Sequence, residues 1–355
     1  MPGKLRGMSD DVLNEAYQRF QGTGPEWGED QLTNHGPMAV EVLVRRGRSA
    51  EVERWVDRYL RRLDELPSAS DRITDDNWAE ALGAGRRVGD WSAYFGWELR
   101  ERPWREVLAQ WWPRLLPGIV AGATHGVIRV SHVVRALLAG AESQQSYDEL
   151  ANGLAFWAAR YQVVPGSGVT GGAGGFDPAA EFDGMPRIGV QAGTVANRFG
   201  QLTQTAGWSR VVSAAGASPD PERALADLVN AATLRYLRYG HGSPVLLVHT
   251  ATAPNAVLHT LPALPRELWA PSLAAVWATS AALWAAYAPA EAAPREVLPA
   301  APGGADPAGE AIDLAVTHGD EHVIKFTDTA AEVYGRTGNS DALAASARIA
   351  ELIRP

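Results

Sequence analysis

Near the end of the chain, Val316 to Ala330 reads VTHGDEHVIKFTDTA and gathers His318, His322 and Lys325 within eight residues. On a continuous helix, residues at i, i+4 and i+7 share one face. Such a stripe is normally apolar and turned to the core. Here it carries nitrogen, so it is either a wet surface or a set of groups that holds something. His318, Glu321 and His322 also spell H-x-x-E-H, the inverted zinc-peptidase pattern. In that reading both histidines bind zinc and Glu321 is the general base. Only 33 residues follow His322, which leaves little room for a third ligand and a substrate-binding half.

The remaining histidines lie far from this stretch. His125 and His132 stand at i and i+7 in GVIRVSHVVRALL, with Arg129 between them. His249 closes the apolar run SPVLLV, His259 sits in PNAVLHTLPALP, and His35 follows Asn34 where a helix begins. A helix N-terminus keeps imidazole neutral, the form a metal takes. Of the eight histidines, His241 in RYGHGSP reads as a turn residue. The chain has no cysteine, which removes disulfides, iron–sulfur clusters, thiolate zinc sites and cysteine nucleophiles together. Histidines spread over at least four helices of such a chain suit Fe, Zn, Cu or Ni. Scattered core and surface histidines are the plain alternative.

The elements that must position these groups are helices. SAEVERWVDRYLRRLDEL, GATHGVIRVSHVVRALLAG and PERALADLVNAATLRYLRYG all carry apolar residues at helical spacing. PAGEAIDLAVTHGDEHVIKFTDTAAEVYGRTG reads as helical, with Gly319 weakening its middle. Strand-like alternation is scarce, and SPVLLVHTAT is its best candidate. The expectation is therefore a mostly α fold, one multi-helical domain over residues 1–355. Two long loops interrupt it, a Gly-rich one at about 164–189 and a Pro/Ala-rich one at about 288–310. The Gly-rich loop contains a literal GxGxxG from Gly166 to Gly171. It lacks the strand before it and the helix after it that a dinucleotide site needs, so it reads as a surface loop or lid.

A net charge of −9 argues against a nucleic-acid partner. The N-terminus shows no apolar signal region. Pro271 to Pro289 is apolar but short for a membrane span and reads as a buried helix. These features favour a cytoplasmic protein with no membrane partner.

Four stretches, NHGPMAVEVL, THGVIRVSHVVRALL, HTATAPNAVLHTLPALP and HGDEHVIKFTDTA, together resemble the questin oxidase-like family. The resemblance runs from about His35 to Ala330 and is weakest between Tyr161 and Asp227. It implies an α-helical fold and oxidative cleavage of an anthraquinone ring with O₂, in the making of aromatic polyketides. One group of its members holds Fe(II) on four histidines and a carboxylated lysine. Carried across by motif, the metal ligands are His35, His125, His249, His322 and Lys325, with another divalent metal as an option. Fungal members tend to carry a second histidine where this chain has Arg129. His132 and His318 are then candidates to replace a ligand or to orient substrate. Arg129 or His132 would stabilise developing negative charge. The expected partner is a small aromatic polyketide, bound under the Gly-rich loop against some of the 13 tryptophans, with a reductase as an option. The rivals are a metal-free oxygenase with histidine general bases, a zinc hydrolase built on H-x-x-E-H, and a polyketide-binding protein without activity.

Overall fold

The computed structural model describes residues 2–29, 31–168 and 175–354. The fold is mostly α, as the periodicity predicts. Among the described residues the one sheet is a two-stranded antiparallel hairpin, β1 (Glu26–Trp27) with β2 (Leu32–Thr33), in register Glu26 to Thr33 and Trp27 to Leu32. The chain forms two compact units, Met1–Gln162 with Pro262–Leu264, and Val163–Leu261 with Pro265–Pro355. The sequence carries no composition shift at residue 163 that marks this division.

The first unit is built on α1 (Pro2–Phe20), α2 (Gly36–Arg45), α3 (Val88–Glu101), α4 (Trp104–Leu115), α5 (His125–Leu138) and α6 (Gln144–Ala159). Helix α6 is its spine, with α3 and α5 along its flanks and α1 against it. Helix α2 packs between α1 and α5. Trp91, Tyr94, Phe95 and Trp111 form one aromatic cluster at the α3–α4 crossing, with Phe95 and Trp111 centroids 4.9 Å apart. Burial of such rings contributes about 2–3 kcal/mol each, and their edge-to-face geometry adds to it.

The second unit is built on α7 (Pro221–Tyr239), α8 (His249–Thr260), α9 (Trp269–Tyr287), α10 (Pro307–His318), α11 (Glu321–Thr337) and α12 (Asp341–Leu352). Helix α8 lies against α7, α9 and α11 and is buried along most of its length. Helix α9 is apolar enough to cross a membrane by composition, but 72% of that window is buried inside the fold. It is a core helix, as expected for an Ala-rich stretch that encloses Trp277 and Trp284.

Three sequence expectations need correction. SPVLLVHTAT is not a strand: Pro244–Leu247 is a helical turn that runs into α8. Proline at the first helical position and a run of only five apolar residues before His249 decide this, since the same run fits a buried helix. The segment 164–189 is not wholly irregular, because Pro178–Asp183 is a short helix capped by the Asp177 side chain. Residues 169–174, with the second half of the GxGxxG, lie outside the described residues. Finally, the long helix through Gly319 is two helices. Gly319 has φ +82° and ends α10, and Asp320 starts α11. A left-handed glycine is the usual helix stop. His318 and His322 therefore do not share a helical face.

Candidate metal centre

In the first unit the Asn-His-Gly-Pro stretch places His35 at the start of α2. Asn34 donates from Nδ2 to Gly24 O (3.0 Å) and accepts the Gly36 N–H on Oδ1 (3.0 Å). A Cβ on Gly36 would fall 2.4 Å from the Phe20 ring, so only glycine lets the helix begin there. Pro37 supplies the helical φ at the first turn. The His35 backbone N–H donates to Tyr59 Oη at 2.7 Å.

His125 opens α5 after an unusual turn. Gly122, Ala123 and Thr124 have φ +52°, +53° and +74°, three left-handed residues in succession. The two non-glycine members cost about 1–2 kcal/mol each. The turn brings the Gly122 carbonyl to His125 Nδ1 at 2.5 Å. That nitrogen must be the protonated one, so His125 Nε2 bears the lone pair. Gly126 then lets α5 approach α6, since a Cβ there would sit 2.8 Å from Trp157 Cβ.

The two rings meet edge to face, with Nε2 to Nε2 at 2.7 Å and both residues buried. A proton shared between them is the smallest cation such a pair can hold. Two imidazoles bound to one first-row ion at about 2.0–2.1 Å bring their nitrogens to about 3 Å, close to this separation. The pair therefore fits a metal by both tautomer and spacing.

In the second unit His249 opens α8, fully buried, and His322 stands in the first turn of α11. Their ring centroids are 6.4 Å apart at 82°. Lys325 is three residues beyond His322 on the same helix face and is 5% exposed. Burial pushes its ammonium down to about 7, against the pull of Glu321 and Asp320. A substantial fraction is then neutral amine at physiological pH, the form that reacts with CO₂. Asp320, Glu321 and His322 each present one ligand atom, all within 4.8 Å of one another, so this end of α11 can also hold a metal. Burial pushes Asp320 up, but the His322 ring and the backbone N–H groups of α11 hold it below the usual carboxylate range.

The structure gives the three remaining candidates other partners. Arg129 is fully buried and grips Glu149 with two prongs, Nε to Oε1 at 2.6 Å and Nη2 to Oε2 at 2.8 Å. Burial favours a neutral Glu149 and Arg129 favours the anion; the two-pronged geometry belongs to the ionised pair. His132 Nδ1 lies 2.8 Å from Glu41 Oε2, and Arg135 grips the same carboxylate. His318 donates from Nε2 to Ile353 O (2.9 Å) and accepts the Asp320 N–H on Nδ1 (3.4 Å). Tyr59, Glu41 and Asp320 were not singled out from sequence. Only Asp320 carried a signal, as an N-cap residue directly before a helix. The tryptophans offered as a substrate wall are largely core: Trp91, Trp111, Trp112, Trp157, Trp277 and Trp284 are all fully buried.

Compared with known proteins, the chain matches no family model and no curated protein.

Proposed function

We propose that this protein is a non-heme iron oxygenase in which His35, His125, His249, His322 and a carboxylated Lys325 hold one Fe(II). The observation that carries the reading is the His35–His125 contact, two Nε2 atoms 2.7 Å apart with the His125 lone pair set by the Gly122 carbonyl. It is supported by the buried Lys325, which can add CO₂ as the free amine, releasing one proton and forming an anionic oxygen ligand. That ligand takes the part a carboxylate plays in the common two-His, one-carboxylate iron site. Bound Fe(II) supplies O₂ activation for cleavage of a C–C bond, and the substrate class is an anthraquinone or related aromatic polyketide. The chain's own residues bind and orient: Tyr59 fixes the His35 backbone, and the Glu41–His132–Arg135 group ties α2 to α5. The cytoplasm suits both the Fe(II) and a reductase partner.

A second reading rests on the Asp320–Glu321–His322 group, which favours a divalent metal held at one end of α11 for hydrolysis. Metal analysis of the purified protein separates the two. The oxygenase reading expects about one iron per chain, with O₂ uptake on an anthrahydroquinone. A single centre expects H125A, H249A and K325A each to abolish that iron and the uptake. Zinc in place of iron, or full iron content in K325A, overturns it.

A further inference from the structure

The iron reading leaves the H-x-D-x-H string, His318, Asp320 and His322, only partly used. We propose that Asp320 is a positioning residue for His322, and His318 for Asp320. Asp320 holds the His322 Nδ1–H and so leaves the lone pair on Nε2. The proposal rests on the iron reading for what that lone pair then binds.

Asp320 has extended backbone (φ −71°, ψ 136°), and its Oδ1 accepts the N–H groups of His322 (2.8 Å) and Val323 (3.2 Å). This is an ordinary N-cap, and Ser, Thr or Asn would serve it about equally. The helix dipole does not demand the charge either, because Glu321 already places an acid in the first turn. What the cap does not explain is the ring. The same Oδ1 lies 3.4 Å from His322 Nδ1, so the imidazole is folded back over the carboxylate that caps its own helix. A carboxylate on one ring nitrogen is the arrangement that fixes a ligand histidine and raises its basicity.

His318 completes the string. Its Nε2–H is spent on the Ile353 carbonyl, so its Nδ1 carries a lone pair, and that lone pair faces the Asp320 N–H. The last residue of α10 thereby holds the residue that caps α11, across the left-handed Gly319. In the first unit the Gly122 carbonyl does for His125 what Asp320 does here for His322.

The test is the His322 tautomer in metal-free protein, read by ¹⁵N NMR of histidine-labelled samples above the imidazole titration, with H322Q to assign the signal. Wild type is expected to show Nδ1–H. D320S keeps a capping hydroxyl too short to reach the ring. It is expected to keep its melting temperature and shift His322 toward Nε2–H, the form free imidazole prefers. D320N keeps an acceptor oxygen at the same reach and should retain the wild-type tautomer. Affinity for Fe(II) or Zn(II) added alone should fall about 10–100-fold in D320S. An Nε2–H ring in wild type, or an unchanged tautomer in D320S, overturns the assignment. Loss of metal with the tautomer unchanged makes Asp320 a ligand and also overturns it. Wild type that takes up neither metal sinks the iron reading, and the tautomer still decides Asp320.

Discussion

Glu41 is a carboxylate buried where an isolated charge would be unstable. Burial pushes it up, but the Arg135 guanidinium and the His132 ring bring it from 4.5 down to about 2. A folded-state value below the unfolded one means stability present above about pH 4.5 and lost as pH falls toward 2. The shift corresponds to about 3 kcal/mol. E41Q should therefore be less stable than wild type at neutral pH by roughly that amount, and the gap should close across this acid window. Urea unfolding at a series of pH values measures it; a gap independent of pH would show that Glu41 contributes only packing. Glu41 also shows why some of the site escaped the sequence. His132 was visible as a chemical residue, but its partner lies 91 positions away, and nothing local in VEVLVRR marks a glutamate as buried. Tyr59 was hidden for the same reason, since its hydroxyl meets a backbone N–H 24 residues upstream.

At the scale of elements, His35, His125, His249 and His322 each stand at a helix start, and of these only His35 was read so from the sequence. His35 precedes Gly-Pro, His249 follows a proline-led turn, and His322 follows a capping aspartate. The relation between elements was less legible. The stripe of His318, His322 and Lys325 assumed an unbroken helix, and one left-handed glycine removed His318 from it. The turn before α5 gave no warning at all. Nothing in Gly-Ala-Thr announces three positive φ angles, because two of the residues resist them. That resistance is measurable. A123G should raise stability by about 0.5–1 kcal/mol, the left-handed cost of alanine less the extra freedom of glycine in the unfolded chain. Thermal or urea denaturation tests it. A destabilised A123G would mean that the alanine methyl makes contacts worth more than the strain.

For the molecule as a whole, the helical class followed from periodicity and from the scarcity of alternating stretches. Its division into two compact units did not, because no linker marks residue 163 and the two long loops both fall in the second unit. A metal held by the folded chain and not by the unfolded one must stabilise it. Linkage gives about 2.7 kcal/mol when free metal is a hundred times its dissociation constant. Chelation of the metal-loaded protein should therefore lower its melting temperature by several degrees, and K325A should be insensitive to the chelator. Scanning calorimetry with and without chelator reads both; identical melting in wild type would mean that no structural ion was removed.

The glycine at position 126 has a consequence beyond its own contact. A Cβ there would sit 2.9 Å from Trp157 Cα, so α5 lies closer to α6 than any larger residue at this position allows. The His125 ring is mounted on the first residue of that closely packed helix. Under the iron reading, an ion bound at that ring would be sorted by its radius and preferred bond angles against a closely packed frame.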